Sequence, residues 1–278
     1  MMPDILVLGA GIAGCTAALH AADLGAQVLL VAKDPLGQGN TAWAQGGIAG
    51  LSEFGDDSPF ALMSDIESAG AGLCHPAAVR LLAEEGPQLL KDFLWKGVGV
   101  PFDLAEDGQP QTTREAAHSA HRIYHVRDET GRAIQDALTT AVQRHPKIQV
   151  REHAVLADLI TIPHHAVDPR RVYDPIQVWG AYLLDEASGL VEQVLAKRTI
   201  LATGGLGYLY LHTSNPPGAT GDGLAAAFRA SARILNCEYV QFHPTTLFVP
   251  GHPRTLLTEA LRGEGAHLIT RRGERFMA

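Results

Sequence analysis

Three glycines near the N-terminus have the spacing of a phosphate-binding turn. Residues 9–14 read GAGIAG and fit the pattern G-x-G-x-x-G, between an apolar run and a segment with the length and Ala/Leu content of a helix. Gly9 allows a tight turn, Gly11 lets a pyrophosphate approach the backbone, and Gly14 lets helix and strand pack closely. The start of the helix adds free N–H groups for phosphate oxygens. The sequence therefore predicts a dinucleotide site.

The second predicted strand, residues 27–32, lacks the acid that usually binds the ribose of NAD. It ends at Ala32, and the next residue is Lys33. A generic NAD site is therefore disfavoured. Lys33 alone is also compatible with a solvated charge at the end of a strand.

Two later segments offer groups for the same ligand. The apolar strand 199–202 is followed by Gly204 and Gly205, and bare backbone at a second strand end suits a ligand that lies across parallel strands. Asp222 comes just before the Ala-rich helix 224–232. This carboxylate is open to two interpretations, an N-cap and a cofactor contact, which do not exclude each other.

Glu115 and three histidines have side chains suited to binding a substrate or a metal. Thr112 and Glu115 have the spacing of a capping box, so Glu115 is either a helix-start residue or a functional carboxylate. His118, His121 and His125 would share one face of a helix, so a metal-binding site has to be considered. No cysteine or carboxylate completes a ligand set, so no metal is predicted.

The hydrophobic pattern predicts an α/β fold, a Rossmann-like domain with a parallel central sheet. Strand, glycine turn, helix and strand within about 30 residues form a βαβ unit. Residues 33–50 have no periodicity and form a candidate binding loop. The other predicted elements are helices 58–70, 76–96 (broken at Gly86-Pro87) and 131–144, strand 148–150, and a hairpin of 178–184 with 191–195.

Composition excludes several classes of protein. The chain has 278 residues, of which 46% are hydrophobic and 19% charged, which disfavours disordered, collagen-like and coiled-coil proteins. The formal charge is -8, so the chain lacks the excess of basic side chains with which nucleic-acid-binding proteins hold phosphates, and a nucleic-acid partner is disfavoured. Three scattered cysteines and the lack of a basic leader predict a cytoplasmic protein. No apolar stretch reaches about 18 residues, so no membrane-spanning helix is predicted.

Four segments in a fixed order carry a family resemblance. They are residues 9–14, 39–49 (GNTAWAQGGIA), 241–245 (QFHPT) and 256–266 (LLTEALRGEGA). The chain resembles the flavoproteins of the succinate dehydrogenase, fumarate reductase and L-aspartate oxidase superfamily, and the L-aspartate oxidase family most closely. The resemblance runs along essentially the whole chain, as far as GERFM at residues 273–277.

The resemblance implies FAD as the cofactor. The family commonly has a small residue and then Lys at the end of the second strand, which accounts for Ala32 and Lys33. Asn40 stands where succinate dehydrogenases carry the histidine that bonds to the flavin, so the FAD is expected to be non-covalent. With the fingerprint glycines, the implied cofactor-binding residues are Gly9, Ala10, Gly11, Ile12, Ala13, Gly14, Lys33, Asn40, Thr41, Ala42, Trp43, Ala44, Gln45, Gly46, Gly47 and Asp222.

The resemblance also assigns five catalytic or substrate-binding residues. Glu115 matches a glutamate that orients aspartate, since a carboxylate attracts the amino group that distinguishes aspartate from succinate. His243, Thr258 and Glu259 match residues that bind the substrate carboxylates or place their neighbours, and Arg262 follows on the same segment. Without the resemblance, His243 would be structural and Arg262 part of an exposed helical ion pair.

The implied reaction is the FAD-dependent oxidation of L-aspartate to iminoaspartate. Hydride passes from Cα to flavin N5, and O2 or fumarate is the final acceptor. This is the first step of quinolinate and NAD biosynthesis, with quinolinate synthase as recipient of the product. The alternatives are a soluble fumarate reductase-type flavoprotein and an inactive flavin-binding fragment or subunit. Neither nucleic acid nor a membrane is an expected partner.

The resemblance further implies two domains that the chain does not complete. Residues 1–236 correspond to the first part of the FAD-binding domain, and residues 237–278 to the beginning of an α+β capping domain. The family's catalytic arginine and the glycine-rich segment that completes its FAD site lie beyond the position of Ala278. The chain is therefore expected to be the N-terminal part of a longer enzyme.

Overall fold

A computed structural model describes residues 2–52, 55, 57–115, 117–243, 245–252, 254–257, 261 and 265–276. The fold is α/β with a parallel central sheet, as predicted. The strands are β1 (Ile5–Leu8), β2 (Val28–Val31), β3 (Ile48–Ala49), β4 (Thr112–Thr113), β5 (Ile123–Tyr124), β6 (Ile148–Arg151), β7 (Ala154–Ile162), β8 (Gln177–Asp185), β9 (Val191–Leu195) and β10 (Arg198–Leu201). The helices are α1 (Ile12–Asp23), α2 (Asn40–Trp43), α3 (Pro59–Ala69), α4 (Pro76–Leu89), α5 (Thr130–Arg144) and α6 (Asp222–Arg229).

The central sheet has the order β10-β1-β2-β6, and each neighbouring pair is parallel. Leu8 at the end of β1 lies opposite Val31 of β2 and Leu201 of β10. The carboxyl ends of these three strands therefore lie at one edge of the sheet. The predicted βαβ unit is confirmed, because α1 connects β1 to β2 and buries Ala18 and Leu19.

A second sheet, β7-β8-β9, is antiparallel. The predicted hairpin is confirmed as β8 and β9. The sequence prediction missed β7, because register shifts between Leu156 and Asp158 and between Ile160 and Thr161 interrupt the two-residue alternation of a half-buried strand. Leu156 nevertheless joins the buried core that contains Leu6 and Leu8 of β1.

The predicted break at Gly86-Pro87 is wrong. α4 continues through Pro87 as far as Leu89, and the chain then widens into a π-helical segment, Leu90–Gly97. Proline has no N–H and so loses one helical hydrogen bond, which the wider turns that follow accommodate. Burial of Pro87, Leu90 and Leu94 keeps the chain helical in spite of this cost.

The chain folds as two compact units. One comprises Met1–Trp43 and Ile134–Phe242 and contains the parallel sheet; the other comprises Ala44–Ala133 and His243–Ala278 and contains the small sheet β3-β5-β4 with α3 and α4. The domain boundary expected between residues 236 and 237 stays a prediction. Within the described residues, no helix is both long and apolar enough to cross a bilayer.

The second unit contains a buried cluster of charges around Arg122. Arg122 is fully buried, and its guanidinium donates to both carboxylate oxygens of Asp57, at 2.7 and 3.2 Å, and to Asp65 at 2.7 Å. The backbone N–H of Ser119, helped by the Ser119 hydroxyl and Arg122, lowers the pKa of Asp65. Asp57 lies just before α3, so the cluster ties the start of that helix to the strand that follows Ser119.

We expect Arg122→Met to lower the free energy of unfolding by about 3–5 kcal/mol, because it leaves the buried Asp57 carboxylate without its cation. Arg170→Met is the matched control: Arg170 pairs with Asp168 but its side chain is 89% exposed, so the change is expected to stay within about 0.5 kcal/mol. Urea denaturation of both variants measures the difference. Equal losses would show that the cluster is not a stabilising element.

Candidate functional site

A cleft opens at the carboxyl ends of β1, β2 and β10, within the unit that contains the parallel sheet. Two glycine-bearing segments line it: the turn after β1 (Gly9, Ala10, Gly11) and the residues that follow β10 (Thr203, Gly204, Gly205). The loop after β2 and the segment before α6 close it. The cleft thus joins the two glycine segments that the sequence predicted for one ligand.

The glycines at the base of the cleft are required by close packing. Gly9 has a φ of +107°, and a Cβ there would overlap the carbonyl of Ala202. A Cβ on Gly14 would overlap the carbonyl of Gly9. α1 and the end of β10 therefore approach β1 so closely that only glycine fits, as the fingerprint predicts.

Lys33 is an ion-pair partner, so its interpretation as a solvated charge is wrong. Its ammonium lies 2.5 Å from Asp222 Oδ2 and donates to Thr220 Oγ1 at 2.7 Å. The Thr220 hydroxyl donates to the other oxygen of Asp222 at 2.8 Å. The side chains of Lys33 and Asp222 are only about one-third exposed, at 31% and 32%. Both line the cleft.

The N-cap interpretation of Asp222 is also wrong. The N-cap of α6 is Gly221, with a φ of +75°, and Asp222 is the first helical residue. A positive φ suits glycine and leaves the Asp222 carboxylate directed at Lys33 and Thr220. Asp222 is therefore available as a polar group of the cleft.

The loop after β2, predicted to be irregular, contains the short helix α2. The Thr41 hydroxyl accepts a hydrogen bond from the N–H of Ile12 at 3.1 Å, which fastens this loop to the start of α1. Asn40 and Thr41 line the cleft. Ala42 is buried, and Trp43 is 37% exposed.

Not every predicted cofactor residue lies in the cleft. Those that line it are Gly9, Ala10, Gly11, Lys33, Asn40, Thr41 and Asp222. Those outside its lining in the same unit are Ile12, Ala13, Gly14, Ala42 and Trp43, and those in the other unit are Ala44, Gln45, Gly46 and Gly47. The prediction omitted the segment around Pro216, Gly218 and Ala219, although its run of proline and glycine is a turn signal.

Glu115 lies in the second unit beside two of the predicted cofactor residues. The chain is not helical there, since Thr112 belongs to β4, so the capping-box interpretation is wrong. Glu115 Oε1 accepts from the N–H of Gly47 at 3.4 Å, and it would lie 3.1 Å from a Cβ on Gly46. The exposed Glu115 carboxylate and the bare Gly46-Gly47 backbone therefore share one surface.

The three histidines do not share a helical face. His118 and His121 lie in irregular chain, and His125 follows β5, where its Nδ1 is 2.9 Å from Asp103 Oδ2. The i, i+3, i+7 spacing predicted a helix wrongly, because this segment contains β5, which pairs antiparallel with β3 and β4 and is extended. No group of three metal-binding side chains forms among the residues that the structure describes.

His243 Nδ1 lies 3.0 Å from the carbonyl oxygen and 3.3 Å from the backbone nitrogen of Thr245, so the ring is held by its own turn. Gln45 Nε2 donates to the carbonyl of Leu256 at 3.2 Å, which brings a predicted cofactor residue to the segment that carries three of the predicted substrate residues. Those three, Thr258, Glu259 and Arg262, lie outside the described residues.

The profile of the family described as "FAD binding domain" matches residues 4–278. The chain belongs to this family. Membership confirms FAD as the cofactor, and the cleft fits it: bare backbone at two strand ends admits a dinucleotide, and the start of α1 borders the cleft beside Gly11.

Among curated proteins, the chain is similar to L-aspartate oxidase 1 of Ralstonia nicotianae, with 41% identity over 276 residues, 99% of this chain and 50% of the relative. It is 42% identical to the L-aspartate oxidase of Vibrio cholerae over 99% of this chain and 50% of the relative. These similarities confirm the resemblance to L-aspartate oxidases. The chain spans about half the length of the curated relatives it matches.

Solved structures give the same fold. The Mycobacterium smegmatis Sdh1 complex in its apo form matches with a TM-score of 0.83 and 29% identity over 98% of this chain and 46% of that one. A variant of the E. coli quinol fumarate reductase matches with a TM-score of 0.84 and 27% identity over 98% of this chain and 44% of that one.

The two sides of the cleft allow a test that separates cofactor binding from folding. A Cβ on Gly205 meets no atom within 4 Å, so Gly205→Val is expected to keep the melting temperature while its side chain occupies the cleft. We expect FAD affinity to fall at least about tenfold, or about 1.4 kcal/mol. Gly9→Ala, which overlaps the backbone of Ala202, is expected to lower both. Calorimetric titration with FAD and thermal unfolding measure the two effects; unchanged FAD affinity in Gly205→Val would remove Gly205 from the site.

Proposed function

We propose that this chain is the FAD-binding part of an L-aspartate oxidase and takes part in the oxidation of L-aspartate to iminoaspartate. The observation that carries the proposal is the identity of 41% and 42% to L-aspartate oxidases over 99% of the chain. The succinate dehydrogenase and fumarate reductase structures share the fold at 29% and 27% identity. The position of Glu115 beside Gly46 and Gly47 also supports an L-aspartate oxidase.

In this proposal the first unit binds the cofactor. The turns at Gly9–Gly11 and Gly204-Gly205 receive its pyrophosphate and neighbouring groups on backbone atoms. Asp222 accepts hydrogen bonds from cofactor hydroxyls, and Lys33 holds that carboxylate in place. FAD supplies the acceptor for the hydride that leaves the substrate Cα. Asn40 has no imidazole for a covalent link, so the cofactor is held by non-covalent contacts alone.

The second unit supplies the groups for the substrate. The Glu115 carboxylate attracts the α-ammonium group of aspartate and repels a dicarboxylate without an amine. His243 and Thr258 donate hydrogen bonds to substrate carboxylates, while Glu259 and Arg262 place the neighbouring groups. These contacts would hold the single Cα–H bond of aspartate in one orientation, and orientation of this kind is a large part of catalysis.

The electron acceptor is O2 or fumarate. Iminoaspartate is the substrate of the next enzyme of quinolinate and NAD biosynthesis, so quinolinate synthase is the proposed recipient of the product. A soluble fumarate reductase-type flavoprotein is the second candidate, favoured by the TM-score of 0.84 to a quinol fumarate reductase. The third candidate is an inactive flavin-binding part, which would bind FAD as in the main proposal but would not turn over a substrate.

Anaerobic titration of the FAD-loaded chain separates these candidates. Under the main proposal, L-aspartate bleaches the visible flavin bands, succinate does not, and O2 or fumarate restores them. Dithionite bleaching that fumarate reverses, without any response to aspartate, would establish the fumarate reductase type. Bound flavin that responds to neither aspartate nor fumarate would identify a binding part without its own turnover.

Glu115→Gln tests the substrate assignment. The change removes the negative charge but keeps the shape, so aspartate affinity is expected to fall about tenfold to a hundredfold, which corresponds to a charged hydrogen bond of about 1.5–3 kcal/mol. Succinate, which lacks the amine, is expected to bind at least as well as before. Glu106→Gln, an exposed glutamate on the same unit, is the control. Perturbation of the flavin spectrum by each ligand measures affinity, and unchanged aspartate binding would contradict the role of Glu115.

A further inference from the structure

The carbonyl oxygen of Ala10, in the middle of the glycine turn, accepts two hydrogen bonds from buried side chains. Gln135 Nε2 of α5 donates to it at 3.0 Å, and the Cys15 thiol of α1 donates at 3.2 Å. Both side chains are 0% exposed. Gln135 Nε2 also lies 3.4 Å from Thr139 Oγ1, one turn further along α5. Two helices therefore act on one carbonyl of the turn.

This contact sets the direction of the peptide between Ala10 and Gly11. In a trans peptide the C=O and the following N–H point in opposite directions. A C=O of Ala10 held in the interior consequently turns the N–H of Gly11 toward the cleft that both residues line. The same constraint keeps a carbonyl oxygen, which would repel phosphate oxygens, away from the ligand.

The burial of Gln135 is costly for stability alone. Its Oε1 is buried and has no hydrogen-bond partner within the described residues. An unmade hydrogen bond of this kind costs about 1–3 kcal/mol, whereas one made by the amide nitrogen contributes about 1 kcal/mol. An apolar side chain of the same shape would serve the fold at least as well. What it would lack is the donor to Ala10.

Cys15 acts as a donor and not as a nucleophile. Burial raises the pKa of its thiol to about 11, an effect only partly offset by Gln135. The sulfur therefore keeps its proton at neutral pH and continues to donate to Ala10.

We propose that Gln135 and Cys15 are positioning residues of the cofactor site, which hold the Ala10 carbonyl inward so that the turn presents its N–H groups to the pyrophosphate of FAD. The inference rests on the proposed use of the cleft by FAD. It adds to the site a helix, α5, which the sequence predicts as a helix but to which it assigns no function.

The main test is Gln135→Met, which keeps the shape of the side chain and removes the amide. The melting temperature is expected to stay unchanged or rise, while FAD and ADP affinities fall about tenfold, because both ligands carry a pyrophosphate. Adenosine affinity is expected to be unaffected. Gln143→Met, at an exposed position of the same helix, is the matched control. Calorimetric titration and thermal unfolding measure these quantities, and FAD and ADP affinities equal to wild type would overturn the proposal.

Cys15 provides a second pair of variants. Cys15→Ala removes the thiol donor and is expected to weaken ADP binding, whereas Cys15→Ser keeps a donor and is expected to restore most of the affinity. An equal loss in both variants, tracking the melting temperature, would assign Cys15 a packing role only and overturn its part of the proposal.

A ligand-free measurement keeps the two proposals separable. With Cys74 and Cys237 replaced by serine, Cys15 is the one remaining thiol of the 278-residue chain. Gln135→Met is expected to speed its labelling by a thiol reagent about tenfold, because the turn above it opens more often. If the wild-type chain binds neither FAD nor ADP, the proposed function fails, and the labelling rate alone decides the inference, with an unchanged rate overturning it.

Discussion

The candidate site depends on one steric constraint, the close approach of three backbone segments at the carboxyl ends of β1 and β10. A side chain on Gly9 would overlap the backbone of Ala202, and one on Gly14 would overlap the carbonyl of Gly9. Glycine at these positions lets α1 begin immediately after β1 and lets Gly204-Gly205 reach the same cleft. The parallel pairing of β1 with β2 and β10 then brings the loop after β2 to the same edge of the sheet, where it also lines the cleft. Without this contact, the start of α1 would not border the cleft.

The polar groups of the cleft depend on pairs that are far apart in sequence. Lys33 and Asp222 are separated by 189 positions and lie 2.5 Å apart. Gln135 reaches Ala10 across 125 positions. Each such pair joins residues from two distant segments of the first unit, so the tertiary fold determines whether they meet. This is why Lys33, which by itself resembles an ordinary solvated lysine, becomes the partner of a carboxylate.

Sequence patterns predicted the parts of the fold in which one local rule decides the outcome. β1, α1 and β2 follow from an apolar run, a glycine turn and an Ala-rich helix, and the range predicted for β2, residues 27–32, exceeds the observed strand by one residue at each end. The patterns failed where packing overrides the local rule. Bulges hide β7, the buried face of α4 carries the helix through Pro87, and strand pairing removes the helix on which His118, His121 and His125 were expected to align.

The same division holds for the site. Glycines were predictable because the absence of a side chain has a direct steric meaning, whereas the function of Gln135 was not, since a polar residue inside an amphipathic helix gives no sign of what it meets. The roles of Thr258, Glu259 and Arg262 rest on resemblance. Glu115 lies between these cases: its spacing left a helix start and a functional carboxylate equally open, and only its contact with Gly47 shows that it lies beside the glycine pair.

Net charge shows why the orientation of the turn matters. The chain carries a formal charge of -8, so its overall field does not favour an anionic pyrophosphate. The cation at the end of β2, Lys33, is largely compensated by Asp222. In the proposed FAD site, attraction for phosphate then comes mainly from short-range groups, the N–H groups of the glycine turn and the N-terminus of α1. Dipoles of this kind act only when they point at the ligand, because their effect reverses with direction. A carbonyl held inward at Ala10 is therefore an electrostatic requirement of the site as well as a detail of packing, and an acidic chain has little other charge with which to compensate if it is lost.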